Sequence, residues 1–275
     1  MDSVVKRNAP IGVFDSGVGG LTVTREIMRQ LPNENLVYFG DTARVPYGSK
    51  SKDTVIRYSS QIINFLKTKN VKAIVVACNT ASALALDIVK QETEIPMSGV
   101  IVPGAKMAAK TTKNKKIGVI ATEATIGSEI YNRVIGSIDD KIEVTGISCP
   151  LFVPLVEEGF AKHKVTEEII EHYLKGLKTS DVDTLILGCT HYPLLRTKIA
   201  EYLGEEIHLV NPAYETATSL KEFLEKENLT NNDSRKIDVT YEFYVSDAAD
   251  RFKQFANSIL PYDIEKTQQI NIEEF

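Results

Sequence analysis

The sequence predicts an α/β protein with two pseudo-symmetric domains, each a mainly parallel sheet covered by helices, and a cleft between them. Short apolar runs rich in β-branched residues alternate along the chain with stretches of helical periodicity, which is typical of parallel, helix-covered sheets. Two segments also recur. The Ile-Gly-Val segment at 11–14 returns at 117–120, an offset of 106 positions (117 − 11). The segment ending in Cys78 returns as the one ending in Cys189, an offset of 111 (189 − 78). Two motifs repeated at nearly one spacing indicate two similar halves.

Each strand is assigned to a short apolar run bounded by turn residues. In chain order the predicted strands are 11–14, 36–39, 71–77, 96–101, 117–121, 142–147, 184–188, 207–210 and 239–245. Helices are assigned where apolar residues recur every three to four positions. They are expected at 21–31, where Pro32 ends the run, at 54–69, at 166–178 with Thr166 as the N-cap, and at 216–226.

The repeat also predicts where the two domains begin and end. We expect the first domain, which carries Cys78, to comprise residues 1–100 together with 211–275. The second domain, which carries Cys189, is expected to comprise residues 101–210. Because the strand-helix pattern continues after the second half, the C-terminal tail is expected to pack back on the first half.

The bulk composition excludes several classes of protein. A chain of 275 residues, 43% hydrophobic and 25% charged, is typical of a soluble globular protein and can form two domains. Its net charge of −5 argues against a nucleic-acid-binding surface, which needs clustered Lys and Arg. No apolar run approaches the ~20 residues that span a bilayer, and the polar N-terminus lacks the apolar core of a secretion signal. We therefore expect a cytoplasmic protein without membrane contacts, whose odd number of cysteines stay as thiols.

Three polar stretches are predicted to lie on the surface. The lysine-rich stretch 110–116 is expected to be a solvated loop before a strand. The stretch 226–237, rich in Asn, Asp and Lys, is expected to be a mobile loop. The last dozen residues are polar and acidic, so we expect them to be disordered.

Two polar loops are candidate binding sites. The loop 15–20, Asp-Ser-Gly-Val-Gly-Gly, follows a strand and precedes a helix, where backbone N–H groups can approach an anion. It departs from the dinucleotide-binding pattern at its last position and lacks the Lys of a P-loop, so it is either a tight turn or an anion cradle. Asp15 adds an acceptor for an ammonium group, or a partner for a catalytic group. The loop 40–49 is typical of ligand-binding loops and of ordinary turns alike.

The cysteines carry the sharpest signal. A lone Cys in an apolar strand is most often a small buried hydrophobe, and Cys149 is interpreted in that way. Cys78 and Cys189 differ, because each ends a buried strand and opens a helix-like polar stretch at the same place in its repeat. A helix N-terminus lowers a thiol's pKa toward neutrality. Two opposed thiols suit a reaction that needs a proton acceptor and a proton donor on opposite faces of one carbon.

Other uses of these residues stay open on the sequence alone. Zinc could take Cys78, Cys189 and His191, but the paired cysteine spacing of metal motifs is missing. A redox dithiol would show C-x-x-C, which is also missing. A Cys-His hydrolase could use Cys189 with His191, although Cys78 would then have no role. A binding module is consistent as well, and it predicts that neither thiol reacts with alkylating reagents.

Six segments together match one known family: 11–21, 40–48, 77–82, 149–159, 188–195 and 211–217. They resemble the motifs of the cofactor-independent glutamate racemases of bacterial cell-wall synthesis, and the resemblance extends over about residues 10–260. Aspartate racemases look similar around the cysteines, but they typically have Glu where His191 stands here and lack the loop 46–49. The resemblance therefore implies glutamate as the substrate, with another acidic amino acid such as aspartate as the alternative.

The resemblance also implies a mechanism and roles for particular residues. Cys78 corresponds to the base that acts on D-glutamate and Cys189 to the base that acts on L-glutamate, with no cofactor and no metal. Asp15 resembles the partner of Cys78, His191 resembles the partner of Cys189, and Asp41 and Glu157 resemble assisting acids. The implied substrate contacts are Asp15, Ser16, Pro46, Tyr47, Gly48, Asn79, Thr80, Thr122, Thr190 and His191. A homodimer that supplies D-glutamate for peptidoglycan and cell shape is what the family suggests.

Overall fold

The computed structural model of the protein describes residues 3–231 and 239–275. Its strands are β1 Ile11–Asp15, β2 Leu36–Gly40, β3 Ala73–Val76, β4 Met97–Gly99, β5 Lys116–Ala121, β6 Glu143–Ser148, β7 Thr184–Gly188, β8 His208–Val210, β9 Tyr241–Val245 and β10 Thr267–Gln269. They form a six-stranded sheet of order β10-β9-β2-β1-β3-β4 and a four-stranded sheet of order β6-β5-β7-β8. Every paired strand in both sheets is parallel.

Helices connect the strands of both sheets. They are α1 Ser3–Asn8, α2 Leu21–Gln30, α3 Lys52–Thr68, α4 Asn79–Leu84, α5 Leu86–Val89, α6 Ile101–Thr111, α7 Glu123–Gly127, α8 Ile130–Ile138, α9 Phe152–Glu157, α10 Lys164–Lys178, α11 Arg196–Leu203, α12 Pro212–Lys226 and α13 Ala249–Ile259. Short 3₁₀ turns lie at Tyr47–Ser49, Lys90–Glu92, Phe160–Lys162, Tyr192–Leu195 and Ile272–Glu274. Within the described ranges, no helix is both long and apolar enough to cross a membrane.

The sequence repeat corresponds to equivalent strands in the two sheets. The Ile-Gly-Val segments form β1 and β5, and the strands that precede the two cysteines, β3 and β7, pair with them directly. All five residues of β1 and of β7 are buried, because parallel strands are covered on both faces. The fold class predicted from the strand-helix alternation is therefore confirmed.

Apolar side chains cover each sheet on both faces. On the first sheet, α2, α12 and α13 pack on one face through residues such as Ile27, Leu224 and Phe252, while α3 packs on the other. On the second sheet, α10 and α11 cover one face, and α6 and α8 cover the other through residues such as Ala105 and Ile135. The first sheet takes its strands from 11–99 and 241–269 and the second from 116–210. The division into domains at these junctions stays a prediction.

Three local predictions are wrong. The helix predicted from Thr166 begins at Lys164, and His163 is its N-cap because its ring nitrogen Nδ1 accepts from the backbone N–H of Val165 at 3.2 Å. Thr166 instead donates its hydroxyl to the carbonyl of Phe160 at 2.6 Å. The strand predicted at 96–101 is shorter, since Ile101 already begins α6.

The C-terminal residues are ordered rather than disordered, which is the third correction. Residues 267–269 add β10 to the edge of the first sheet. Ile272 in the turn that follows is only 3% exposed. One buried apolar side chain and the strand pairing hold a segment whose composition is otherwise polar. Of the mobile loop predicted at 226–237, residues 232–237 lie outside the described residues.

Candidate active site

The loops that follow strands of both sheets meet at one place. In the first sheet, Ser16 follows β1 and Cys78 lies two residues beyond β3. In the second, Thr122 follows β5 and Cys189 follows β7 directly. Ligands of open α/β sheets bind at this carboxyl end of the strands. The two sheets therefore direct their ligand-binding edges at a common region.

A small cavity with a volume of about 30 Å³ lies in this region. The residues that line it are Ser16, Val45, Pro46, Tyr47, Gly48, Cys78, Asn79, Thr80, Thr122, Val153, Glu157, Cys189, Thr190 and His191. A larger cavity of about 260 Å³ adjoins it, and the residues shared by both linings are Val45, Pro46, Gly48, Thr122, Val153 and Glu157. Cys78 and Cys189 thus line one space. All the residues predicted for the site line it as well, except Asp15 and Asp41.

Cys78 lies at the N-cap of α4 and is 5% exposed. Its Sγ accepts from the backbone N–H of Ala81 at 3.4 Å and donates to Ser16 Oγ at 3.5 Å. Burial, and then the charge of nearby Asp15, raise the pKa of this thiol to about 12. The expectation that a helix N-terminus would lower its pKa is therefore wrong for Cys78. A helix of six residues and two long hydrogen bonds do not outweigh burial beside a carboxylate.

Cys189 has a different partner. Its Sγ lies 3.8 Å from Nδ1 of His191, and Nε2 of the same ring lies 3.0 Å from a carboxylate oxygen of Glu157. Burial lowers the pKa of His191, but the contacts with Cys189 and Glu157 outweigh it and raise the pKa to about 10. The imidazole is therefore protonated at neutral pH, and a cation lies between a thiol and a carboxylate.

Asp15 links the surroundings of the two thiols. It is fully buried at the end of β1 and accepts from the backbone N–H of Gly17 at 3.0 Å and from Thr190 Oγ1 at 3.5 Å. Burial raises its pKa, and the positive charge of His191 opposes that rise. Asp15 does not line the cavity itself, so it acts on Cys78 through its charge.

A glycine allows the two halves to come this close. A Cβ on Gly19 would lie 2.3 Å from Thr190 Oγ1 and 2.5 Å from the ring of His191, distances that real Cβ atoms do not show. Next to it, Thr22 Oγ1 donates to the carbonyl of Thr190 at 2.9 Å. The glycine-rich loop is thus more than a plain turn, since it forms the contact between α2 and the loop that carries Cys189; its role as an anion cradle stays a prediction.

The loop after β2 forms another wall of the cavity. Tyr47 is 1% exposed, and its hydroxyl donates to a carboxylate oxygen of Asp41, which is itself fully buried. The same carboxylate accepts from Arg44 Nε at 2.8 and 3.0 Å and from Ser246 Oγ at 2.8 Å. Asp41 therefore lies behind the cavity wall, with both of its oxygens engaged.

Polar groups from both sheets face each other on the remaining side. Thr80 Oγ1 lies 3.0 Å from Thr122 Oγ1, and Asn79 Nδ2 donates to the hydroxyl of Tyr131 at 3.0 Å. A Cβ on Gly48 would lie 2.7 Å from Cβ of Thr122, so the glycine lets its loop pack tightly there. These hydroxyl and amide groups can donate to an anionic ligand.

Sequence reasoning missed Val45 and Val153, which line the cavity as apolar surface. A single valine carries no chemical signal, and only position in a motif could have pointed to either. Cys149 does not line the cavity; it is buried, and burial raises the pKa of its thiol. Within residues 3–231 and 239–275, no group of three or more His, Cys, Asp or Glu side chains is placed to hold a metal ion.

Comparison with known proteins gives one consistent family. Residues 11–220 match the family described as Asp/Glu/Hydantoin racemase. A glutamate racemase from Geobacter metallireducens is 48% identical over 263 residues, which cover 96% of this chain and 97% of that protein. The structure of a glutamate racemase from Francisella tularensis, solved in complex with D-glutamate, has a TM-score of 0.91 at 38% identity and covers 98% of this chain and 100% of that one.

An aspartate racemase from Picrophilus torridus is more distant, with a TM-score of 0.57 at 19% identity over 80% of this chain and 98% of that one. At that identity the likeness is one of fold alone. The two near-full-length matches described above are to glutamate racemases, and their identity is far above that level. The chain therefore belongs to the Asp/Glu/Hydantoin racemase family, and within it to the glutamate racemases.

Proposed function

We propose that this protein interconverts L- and D-glutamate, with Cys78 and Cys189 acting on opposite faces of Cα. The observation that carries the proposal is that two thiols from equivalent strand ends of two similar sheets line one small cavity. The likeness to a racemase solved with D-glutamate supports the choice of substrate. No oxidation or group transfer is involved, because one C–H bond is broken and another is formed on the same carbon.

In the direction from L- to D-glutamate, Cys189 as a thiolate takes the proton from Cα and Cys78 as a thiol delivers one to the other face. The raised pKa of Cys78, about 12, supports this role, because the thiol is fully protonated at neutral pH and ready to donate. The protonated His191 at 3.8 Å stabilises negative charge on Cys189 before the transfer.

The reverse direction needs Cys78 as the thiolate, and the substrate itself helps to supply that state. Asp15 is the charge that most disfavours the Cys78 thiolate after burial. A substrate ammonium group in the cavity beside Cys78 would offset that negative charge and so lower the pKa of Cys78. Cys189, as a thiol, then delivers the proton on its own side, while His191 stays paired with Glu157.

The α-proton of an amino acid is a very weak acid, so the developing negative charge must be stabilised by fixed dipoles. Ser16, Asn79, Thr80 and Thr190 line the cavity with hydroxyl and amide groups, which we assign to the two carboxylates of glutamate. Apart from Ser16 these side chains are buried, so few waters compete with them. Positioning of both thiols against one carbon supplies the rest of the rate.

We also propose the wider setting that the family suggests. The enzyme is a cytoplasmic homodimer whose D-glutamate enters peptidoglycan and thereby maintains cell shape. Its site lies between a first domain of residues 1–100 and 211–275 and a second domain of residues 101–210. The contact of Gly19 with Thr190 and His191 supports a site at that junction.

Circular dichroism that reports glutamate handedness tests the function directly. Purified protein is incubated in D₂O with D-glutamate, L-glutamate, D-aspartate or L-aspartate in separate reactions. Both glutamates should converge on the racemic mixture and carry deuterium at Cα, whereas the aspartates keep their optical signal. Racemisation of aspartate at a comparable rate would favour the alternative substrate. An unchanged signal with all four would favour a binding module and overturn the proposal.

A further inference from the structure

The C-terminal segment 270–275, termed the C-terminal strap below, lies against the loop that faces the cavity. It follows β10, and the backbone N–H of Ile270 continues the strand pairing by donating to the carbonyl of Val245 at 2.9 Å. Ile272 is buried among the residues packed on α3, and the ring of Phe275 meets Phe65 edge-on at 5.4 Å. The strap is thus fixed by its own packing.

Glu273 of the strap reaches a buried arginine. One carboxylate oxygen of Glu273 accepts from Arg44 Nη1 at 3.1 Å, and the other accepts from Gln61 Nε2 at 3.3 Å. Gln61 Oε1 in turn accepts from Arg44 Nη1 at 2.6 Å. The guanidinium also lies over the ring of Tyr58, 3.9 Å from its centre. Glu273, Gln61 and the ring of Tyr58 therefore hold the guanidinium of Arg44 from three sides, and the Arg44 side chain is only 10% exposed.

Arg44 in turn contacts Asp41, which holds Tyr47 in the cavity wall. Its Nε donates to both oxygens of Asp41, and the hydroxyl of Tyr47 donates to the same carboxylate. Ser246, which directly follows the strand that β10 pairs with, adds a further donor to Asp41 at 2.8 Å. Tyr47 lines the cavity that contains the two thiols. Contacts thus connect the strap to the cavity without a break.

We propose that the C-terminal strap positions Tyr47 for substrate binding, with Glu273, Gln61, Arg44 and Asp41 acting as positioning residues. Asp41 then has a different role from the one that the resemblance implies, because the donors around it occupy both of its oxygens and it does not line the cavity. This inference rests on the proposed function for its kinetic readout only.

The expected change in KM depends on how strongly Glu273 of the C-terminal strap holds Arg44. The side chain of Glu273 is 66% exposed, and an exposed ion pair by itself contributes little. Gln61 is the second acceptor for Arg44 Nη1, so removing both acceptors is the informative change. A loop that binds substrate and transition state alike affects KM more than kcat.

The experiment compares Glu273→Ala, Glu273→Gln and the double variant Gln61→Ala/Glu273→Ala. Glu265→Ala, a change of an exposed glutamate in the same C-terminal region, is the matched control. Losing one or two hydrogen bonds to Arg44 should raise KM for D-glutamate about twofold in the single Ala variant and up to about tenfold in the double variant, with kcat nearly unchanged. Glu273→Gln keeps an acceptor and should stay close to wild type.

Amide hydrogen exchange of the peptide 41–50, followed by mass spectrometry, gives a readout that does not depend on activity. Exchange in this peptide should rise in the same order as KM, well below the unfolding temperature of each variant. If the double variant matches Glu265→Ala in both KM and exchange, the positioning role is overturned. If wild-type protein does not racemise glutamate, the proposed function fails, while the exchange data still decide whether the strap orders the loop.

Discussion

The surroundings of Cys78 and of Cys189 share a scaffold and differ in their charges. Each thiol follows a buried strand that pairs with the Ile-Gly-Val strand of its own sheet. Beside Cys78 lie a hydroxyl and, behind it, the carboxylate of Asp15, and the pKa of this thiol is raised to about 12. Beside Cys189 lies an imidazole whose pKa is raised to about 10. A repeated fold thus places two identical atoms in opposite electrostatic fields.

The difference suits a reversible proton transfer. The raised pKa of Cys78 means that this thiol holds its proton at neutral pH, while Cys189 lies beside the cation of His191. In the mechanism proposed above, this arrangement serves the reaction of L-glutamate, and the substrate ammonium would shift it for the reaction of D-glutamate. In identical surroundings both thiols would be protonated, or the two thiols would compete for one proton. The difference in charge between the two sites is therefore useful, even though the reaction interconverts mirror images.

Removing either sulfur is the strongest test of the comparison and has the largest expected effect. Cys78→Ala and Cys189→Ala should each lose at least about 10³-fold in racemisation, because each removes a proton-transfer group from one face. Cys149→Ala is the matched control, because the thiol of Cys149 lies in the core of the second sheet. This variant should leave the rate of racemisation unchanged. Rates come from circular dichroism with both enantiomers. Activity within tenfold of wild type in either site variant would contradict the assignment of two bases.

Replacing the partner of each thiol sharpens the comparison. His191→Asn and Asp15→Asn should each lower kcat/KM about 10²-fold. The first variant removes the cation beside Cys189, and the second removes the carboxylate that helps to keep Cys78 protonated. The two enantiomers have equal free energies, so the loss in kcat/KM must be the same in both directions. The two variants are therefore distinguished by the kinetic isotope effects measured with 2-deuterated L-glutamate and 2-deuterated D-glutamate.

In His191→Asn, proton transfer at Cys189 becomes slower than transfer at Cys78. The isotope effect with 2-deuterated L-glutamate should therefore rise, and that with 2-deuterated D-glutamate should fall. Asp15→Asn should give the reverse pattern, because Asp15 acts on Cys78. Equal isotope effects for the two enantiomers in both variants would mean that the partners do not serve separate thiols.

The sequence predicts the scaffold of these two sites better than their charges. Buried β-branched runs and the recurrence of the cysteine segments were enough to predict parallel sheets and the shared cavity, because burial patterns are local and repeat. The pKa of Cys78 was not predictable in that way. It depends on how deeply the thiol is buried and on Asp15, which is 63 positions away in the chain (78 − 15) and lies behind the cavity wall.

Contacts from the far end of the chain were also missed. The segment after residue 264 is polar and lacks alternation, so nothing local predicts the edge strand β10 or the burial of Ile272. The role of Asp41 in holding Tyr47 depends on Ser246, 205 positions further on. Position in a motif identified Asp41, but only tertiary packing tells whether such a carboxylate faces the ligand or supports the wall.

The smallest expected effect tests whether Glu157 belongs to the Cys189 site through its charge. Because the folded-state pKa of His191 is raised from its ordinary 6.5 to about 10, the stability that comes with its proton is complete below about pH 6.5 and is lost as the pH rises toward 10. Glu157→Gln removes one of the contacts that raise this pKa. At pH 6 its unfolding free energy should be lower than that of wild type by about 1 to 2 kcal/mol, and the gap should close by about pH 10.

Glu158→Gln provides the control, since the neighbouring carboxylate pairs with Arg251 and both side chains are at least 60% exposed. Exposed pairs contribute little, so this variant should stay close to wild type across the same pH range. Denaturant unfolding at several pH values measures the difference in unfolding free energy between each variant and wild type. A gap for Glu157→Gln that does not change between pH 6 and pH 10 would mean that Glu157 acts through packing alone. The raised pKa of His191 would then have to come from its contact with Cys189.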